Sequence, residues 1–312
     1  MAELNYIFGP VPSRRLGFSL GIDPIPFKTC TLDCVYCQLG KTTHKTLNRK
    51  VYLPTEKIME NLKEVLSEGR RIDFITFSGS GEPTLHLEIG KMIGEIKRIS
   101  CYPVAILTNG TLLTLPEVRE ELKRADLVIP SLDTVNKETF QKLNRPHPQL
   151  EIEKIVEGLI NFRKIYEGEL WIEIMIVDEI NDTPEEILAL KRAIEKIKPD
   201  KVQINVPTRP PSEKWVKVPE KNKLNKIKEL LGSKAEFISE FRKRGKMSPK
   251  AHMEEEILSF LMRRPATLNN LSASLGIHKL EVLKYIEILL KKGKITEKLF
   301  NNKIYFVTKR GG

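Results

Sequence analysis

The sequence predicts an α/β fold built on a parallel sheet, followed by a smaller helical unit that ends in a hairpin. Three observations lead there. Short apolar stretches alternate with amphipathic helical stretches through residues 1–241, and repeated strand-then-helix units imply parallel strands joined by right-handed crossovers. A length of 312 residues, 40% of them hydrophobic, suits one large domain with a small companion. The net charge of +11 is carried unevenly: residues 1–241 hold 36 Lys and Arg against 35 Asp and Glu, whereas residues 242–312 hold 16 against 6. That break places a basic linker at 242–250 and a second domain at 251–312, suited to a polyanion or an acidic partner.

The elements follow in order. The opening Phe8-Gly9-Pro10-Val11-Pro12-Ser13-Arg14-Arg15-Leu16-Gly17 is too rich in Gly and Pro to be regular structure. Its adjacent Arg14 and Arg15 suit a carboxylate or phosphate, or are solvated surface charge. Residues 18–23 alternate Phe18, Leu20 and Ile22 against Ser19, Gly21 and Asp23, the pattern of a first strand. Five more strands are expected at 74–77, 104–107, 127–129, 170–177 and 201–206. Thr55-Glu56 and Thr183-Pro184-Glu185-Glu186 open two of the intervening helices. Six units are too few for a closed eight-stranded barrel.

Between the first strand and the first helix lies Cys30-Thr31-Leu32-Asp33-Cys34-Val35-Tyr36-Cys37, holding three of the four cysteines. Three thiolates this close can share one metal centre. Iron–sulfur clusters usually take four thiolates, so three would leave one iron open to another ligand. A zinc site completed by His44 is the competing reading, although zinc ligands usually come as paired knuckles. Cys101 stands alone before an apolar run and reads as an ordinary buried thiol.

Polar tripeptides fall where the expected strands end, and chemistry gathers at the C-terminal ends of barrel strands. Ser78-Gly79-Ser80-Gly81-Glu82-Pro83 offers glycines that admit close backbone approach and a carboxylate able to meet an ammonium. Thr108-Asn109-Gly110 and Ser131-Leu132-Asp133 end the next strands, as ligand contacts or as turn formers. Glu173 and Asn205 put polar groups on a face that a strand covered by helices should keep apolar, as a cavity or internal polar pairs would require. Arg145 and Arg209 sit in proline-stiffened loops on the same rim and are candidate substrate contacts.

The C-x3-C-x2-C spacing with Tyr36 before the last cysteine resembles the signature of the radical S-adenosylmethionine (SAM) superfamily. The glycine–Glu motif one β/α unit later resembles the segment that binds the SAM amino group in that superfamily. The resemblance spans about residues 6–240 and implies a partial (β/α)6 TIM-like barrel. It further implies a [4Fe–4S] cluster on Cys30, Cys34 and Cys37, SAM near Tyr36, Gly79, Ser80, Gly81, Glu82, Thr108, Asn109, Ser131, Asp133, Glu173 and Asn205, and an electron donor such as ferredoxin or flavodoxin. The segments from Gly9 to Gly40, Ser131-Leu132-Asp133 and Asn144-Arg145-Pro146-His147 resemble oxidoreductases related to the wyosine tRNA synthases. Archaeal wyosine synthases carry further N-terminal cysteines, and this chain has none before Cys30, which argues for a different substrate.

In the basic tail, helical spacing at 254–261, 268–275 and 279–292, with Gly276 at the turn, precedes strands at 295–300 and 303–307 around Asn301-Asn302. The pattern is that of a winged helix-turn-helix. Its Lys279, Lys284, Lys291, Lys292, Lys298 and Lys303 suit phosphates, and such units also bind proteins and leader peptides. No stretch approaches a membrane span and Met1-Ala2-Glu3-Leu4 has no signal-peptide pattern, so a cytoplasmic protein is expected. The resulting expectation is a radical SAM oxidoreductase or modification enzyme acting on RNA or a protein or peptide. The alternative is a winged-helix regulator whose cluster senses iron or oxygen.

Overall fold

The computed structural model describes residues 6–238 and 253–309, so the linker at 242–250 lies outside the described residues. The chain begins with β1 (Ile7–Ser13) and β2 (Gly17–Ile22), an antiparallel pair. The Gly- and Pro-rich opening is thus a strand, against expectation. A register shift between Phe8 and Val11 and a place at the sheet edge absorb the prolines that would break an inner strand. The cysteine segment follows, with short β3 (Thr29–Cys30) and β4 (His44–Lys45) paired to each other.

Next come α1 (Thr55–Ser67), β5 (Phe74–Phe77), α2 (Ile89–Ile99), β6 (Val104–Thr108), α3 (Pro116–Leu122) and β7 (Leu127–Pro130). Then follow α4 (Lys137–Asn144), α5 (Ile152–Ile165), β8 (Glu169–Met175), α6 (Pro184–Ile197), β9 (Lys201–Asn205), α7 (Lys221–Leu231) and β10 (Ala235–Phe237). Thr183 caps α6, its hydroxyl accepting from the Glu186 amide, as its sequence position requires. The α1 cap is Pro54 and makes no side-chain bond, so Thr55 lies inside the helix.

Eight of these ten strands form one sheet in the order β1-β2-β5-β6-β7-β8-β9-β10, parallel from β2 onward. An order without reversal sends every right-handed crossover to the same face. Buried Leu20, Ile75, Ile106, Val128, Ile172 and Ile204 meet α1, α2, α5 and α6 on that face. The opposite face is closed at one level by Leu16, Ala105, Leu127, Ile129 and Trp171. Polar side chains therefore crowd toward the C-terminal strand ends. Cys101 is exposed, because it precedes β6 in the helix-to-strand turn instead of lying within the apolar run.

Past the linker, α8 (Met253–Arg263), α9 (Leu268–Leu275) and α10 (Lys279–Lys291) lead to β11 (Ile295–Phe300) and β12 (Lys303–Thr308). The β11–β12 hairpin turns through Asn301 and Asn302, both with positive φ (47° and 54°), as a two-residue turn demands. Ile257, Phe260, Leu271, Ile286 and Phe306 form a second core, and Val11 and Phe8 of β1 pack into it. The C-terminal segment is thus seated on the barrel's first strand.

Candidate active site

The cysteine segment lies over the C-terminal strand ends. Each sulfur meets a side-chain nitrogen donor. Lys28 Nζ donates to Cys37 Sγ (3.2 Å), Asn109 Nδ2 to Cys30 Sγ (3.4 Å) and Asn144 Nδ2 to Cys34 Sγ (3.4 Å). Such donors favour the thiolate, the form that binds metal. Burial, aided by Glu82, pushes the Cys30 thiol up to about 12, and burial with Asp133 raises Cys34 as well. Thiols so placed ionise against a cationic centre.

Three cysteine sulfurs, each met by a nitrogen donor, suit an iron–sulfur cluster. A tetrahedral zinc with Zn–S of about 2.3 Å would draw sulfurs to about 3.8 Å of one another. His44, the fourth ligand such a zinc site would need, is exposed.

The glycine motif is zipped to the cysteine segment by backbone bonds. The Lys28 amide donates to the Ser80 carbonyl (2.7 Å), and the Glu82 amide to the Thr29 carbonyl (3.1 Å). A Cβ on Gly81 would collide with that Thr29 oxygen. Gly79, at φ 146°, passes equally close to the Asp23 carboxylate, which accepts from the Ser80 amide (2.9 Å) and hydroxyl (2.6 Å). Asp23 was legible only as the last polar residue of an alternating strand, and its place at that strand's C-terminal end was the available signal.

Glu82 is buried and held by four donors: the Thr84 amide (3.1 Å), the Thr84 hydroxyl (2.6 Å), the Thr108 hydroxyl (2.6 Å) and the Asn109 amide (2.7 Å). Burial still pushes its carboxyl above the usual range. Three of the four bonds go to Oε1, which leaves Oε2 the emptier oxygen. Thr108 therefore acts on Glu82, and Asn109 joins Glu82 to Cys30.

Asp133 accepts from the Tyr36 hydroxyl, Asn144 Nδ2 (2.7 Å) and the Met175 amide (2.9 Å). Burial raises both Asp133 and Tyr36. This pair braces the cysteine segment from below, and its contacts are internal. Ser131, bridged to Glu173 across the strands, lines with Asn109, Asp133 and Asn144 a cavity of about 10 Å³, room for one water. Asn144 was read from the sequence only as part of a rim loop.

Glu173 pairs with Arg15 and accepts from Asn205 Nδ2 (2.9 Å), whose Oδ1 accepts from Arg14 (3.2 Å). Arg209 donates to Gln38 Oε1 (2.8 Å). Arg145 binds Glu213 (2.6 Å) and lies 3.9 Å from Asp33, fastening the loop after β9 to the cysteine segment. Lys279, Lys284, Lys291, Lys292, Lys298 and Lys303 are exposed and away from this cluster, with Lys292 paired to Glu254 (2.8 Å).

The model of the Radical SAM superfamily matches residues 25–191, which include the three cysteines, Glu82, Ser131 and Glu173. The chain belongs to the radical SAM superfamily. Radical SAM proteins use a [4Fe–4S] cluster and S-adenosylmethionine. A UPF0026 protein from Methanocaldococcus jannaschii is 35% identical over 311 residues, covering 97% of this radical SAM chain and 96% of that protein. A protein named GTPase Obg from Brachyspira hyodysenteriae is 40% identical over 95% of this chain, which spans only 44% of that relative's length. A GTP 3′,8-cyclase from Clostridium acetobutylicum is 31% identical over 212 residues, 67% of this chain and 62% of that enzyme. In structure, a radical SAM methyltransferase from Sphaerobacter thermophilus superposes with a TM-score of 0.53 at 16% identity, over 70% of this chain and 65% of that one. That likeness shows a shared α/β fold with a mostly parallel central sheet. Among the described residues no helix is long and apolar enough to cross a membrane.

Proposed function

We propose that this protein is a radical SAM enzyme whose Cys30, Cys34 and Cys37 hold the cluster, with SAM seated against Gly79–Glu82 and a nucleotide substrate at the barrel mouth. One observation carries the reading. Asn109 bonds Glu82 through its backbone (2.7 Å) and Cys30 Sγ through its side chain (3.4 Å), so a carboxylate suited to an ammonium lies one residue from a cluster ligand. When bound, cluster and SAM supply an electron and a 5′-deoxyadenosyl radical that abstracts hydrogen from the substrate.

The chain's own residues hold and exclude. Glu82 Oε2 receives the SAM ammonium, while Thr84 and Thr108 fix the carboxylate's orientation. Ser131, Glu173 and Asn205 would meet the ribose and substrate, and Arg14, Arg15 and Arg209 would stand on the rim, with Arg14 bonded to Asn205, Asn205 to Glu173 and Arg209 to Gln38. The apolar layer around Trp171 closes the floor against water. The nucleotide reading is supported by the Clostridium relative's name, and the likeness to wyosine synthases rests on sequence segments alone. The C-terminal residues 251–312 are read as a winged-helix unit whose lysines meet an RNA or protein partner, and ferredoxin or flavodoxin as the electron donor.

Anaerobic reconstitution followed by assay for 5′-deoxyadenosine under a strong reductant tests the reading. Product from the wild type and none from Cys34→Ala is expected. An intact cluster that yields no product from SAM would return the protein to the regulatory alternative.

A further inference from the structure

We propose that Arg209 and Arg264, with Arg14 beside them, form a phosphate-binding subsite at the barrel mouth, which takes the polyphosphate chain of a small substrate. The inference rests on the enzyme reading above and adds to it a ligand class and a role for the C-terminal segment.

The three arginines come from distant parts of the chain. Arg14 lies in the β1–β2 turn, Arg209 in the loop after β9, and Arg264 at the corner between α8 and α9. Several contacts fasten that corner in place. Ala266 at that corner pairs with Phe306 of β12 through both backbone bonds (3.2 and 2.8 Å), and the adjacent Tyr305 hydroxyl donates to the Thr208 carbonyl (2.6 Å), next to Arg209. Arg263 stacks over the Phe8 ring (4.8 Å) and lies 3.7 Å from Asp23.

Among the described residues, carboxylates meet some of the arginines around this mouth and not others. Arg15 is met by Glu173 and Arg263 by Asp23. Arg209 instead binds the neutral Gln38 amide, and Arg264 lies against the Phe260 ring (4.4 Å). Burial and the neighbouring Arg14 bring Arg209 down to about 10, while burial, Arg209 and Arg14 bring Arg264 well down. Like charges on half-buried side chains near one another oppose folding, and an anion in their midst reverses the sign of the interaction.

The donor count separates the candidate anions. Each guanidinium offers about five N–H groups in a rigid fork, whereas one carboxylate accepts about four bonds. A single carboxylate, such as that of SAM, would leave most of the forks unused, and a chain of phosphates would fill them. The half-buried setting also contrasts with the exposed lysines on α10 and the hairpin, which suit a long polymer better.

Calorimetric titration of the full-length reconstituted protein with inorganic tripolyphosphate tests the subsite. Saturable binding by the wild type is expected, weakened about tenfold or more in Arg264→Gln and unchanged in Lys196→Gln, at an exposed lysine in the last turn of α6. Without ligand, Arg264→Gln should melt no lower than the wild type, since the lost charge is a repelled one. Absence of wild-type binding, or equal binding by Arg264→Gln, would overturn the proposal. So would equal loss of SAM affinity in Arg264→Gln with SAM displacing tripolyphosphate, which assigns the arginines to the SAM carboxylate. Binding of an RNA oligonucleotide but not of tripolyphosphate would overturn it in favour of a polymer backbone. Formation of 5′-deoxyadenosine without tripolyphosphate binding removes the subsite and leaves the enzyme reading standing, and the reverse result does the opposite.

Discussion

The amide of Asn144 touches Cys34 Sγ, Asp133 Oδ2 and the Tyr36 hydroxyl at once. Hydrogen bonds to cluster sulfurs stabilise the reduced, more negative state. Asn144→Leu should therefore lower the cluster's reduction potential by about 20–60 mV, from a bond of about 0.5–1.5 kcal/mol. A redox titration followed by electron paramagnetic resonance measures the shift. Glu82→Gln keeps the shape of the pocket and removes its charge. Cluster assembly should survive, with SAM affinity lower by about tenfold or more in equilibrium binding. The C-x3-C-x2-C segment and the glycine–Glu motif were legible because local spacing defines them. Asn144 acts on a partner 110 residues away, and no local pattern records that distance. Asp133 illustrates the same limit, since its strand-end position was legible and its three internal donors were not.

At the level of elements, β2 and β5 through β9 were legible as six short apolar runs, because inner parallel strands are buried on both faces. The edges were not. β1 hid behind its prolines, and β10 has three residues, too few for any period to show. The junction between the cysteine segment and the glycine motif was hidden as well, because backbone bonds leave no side-chain signature. Gly81 is its sensitive point. Gly81→Ala should cost about 1–3 kcal/mol through overpacking against the Thr29 carbonyl. Iron content after reconstitution should fall together with the melting temperature, whereas Gly40→Ala, which meets no neighbour but has φ 86°, should cost only backbone strain.

Across the whole molecule, the C-terminal segment is more than an appendage. Its helices cover Val11 and Phe8 of β1, and Arg263 reaches the Asp23 carboxylate that holds Ser80. Removing residues 253–309 would bare that apolar face and withdraw the nearest cation from a buried acid. The truncated protein should melt lower and form 5′-deoxyadenosine more slowly than the full chain, by differential scanning calorimetry and product assay. The charge asymmetry along the sequence announced a basic tail. Its seat on β1 could not be read, since the apolar residues that make the contact look like those of any edge strand.

On the proposed assignment, the pairing of Lys28 with Ser80 and of Thr29 with Glu82 would make the inorganic cofactor and the sulfonium cofactor tenants of one rigid frame. Stripping the iron slackens both lodgings together, so the metal-free protein should capture SAM poorly. Oxygen damage would then halt radical supply at the first step, before any cosubstrate is consumed.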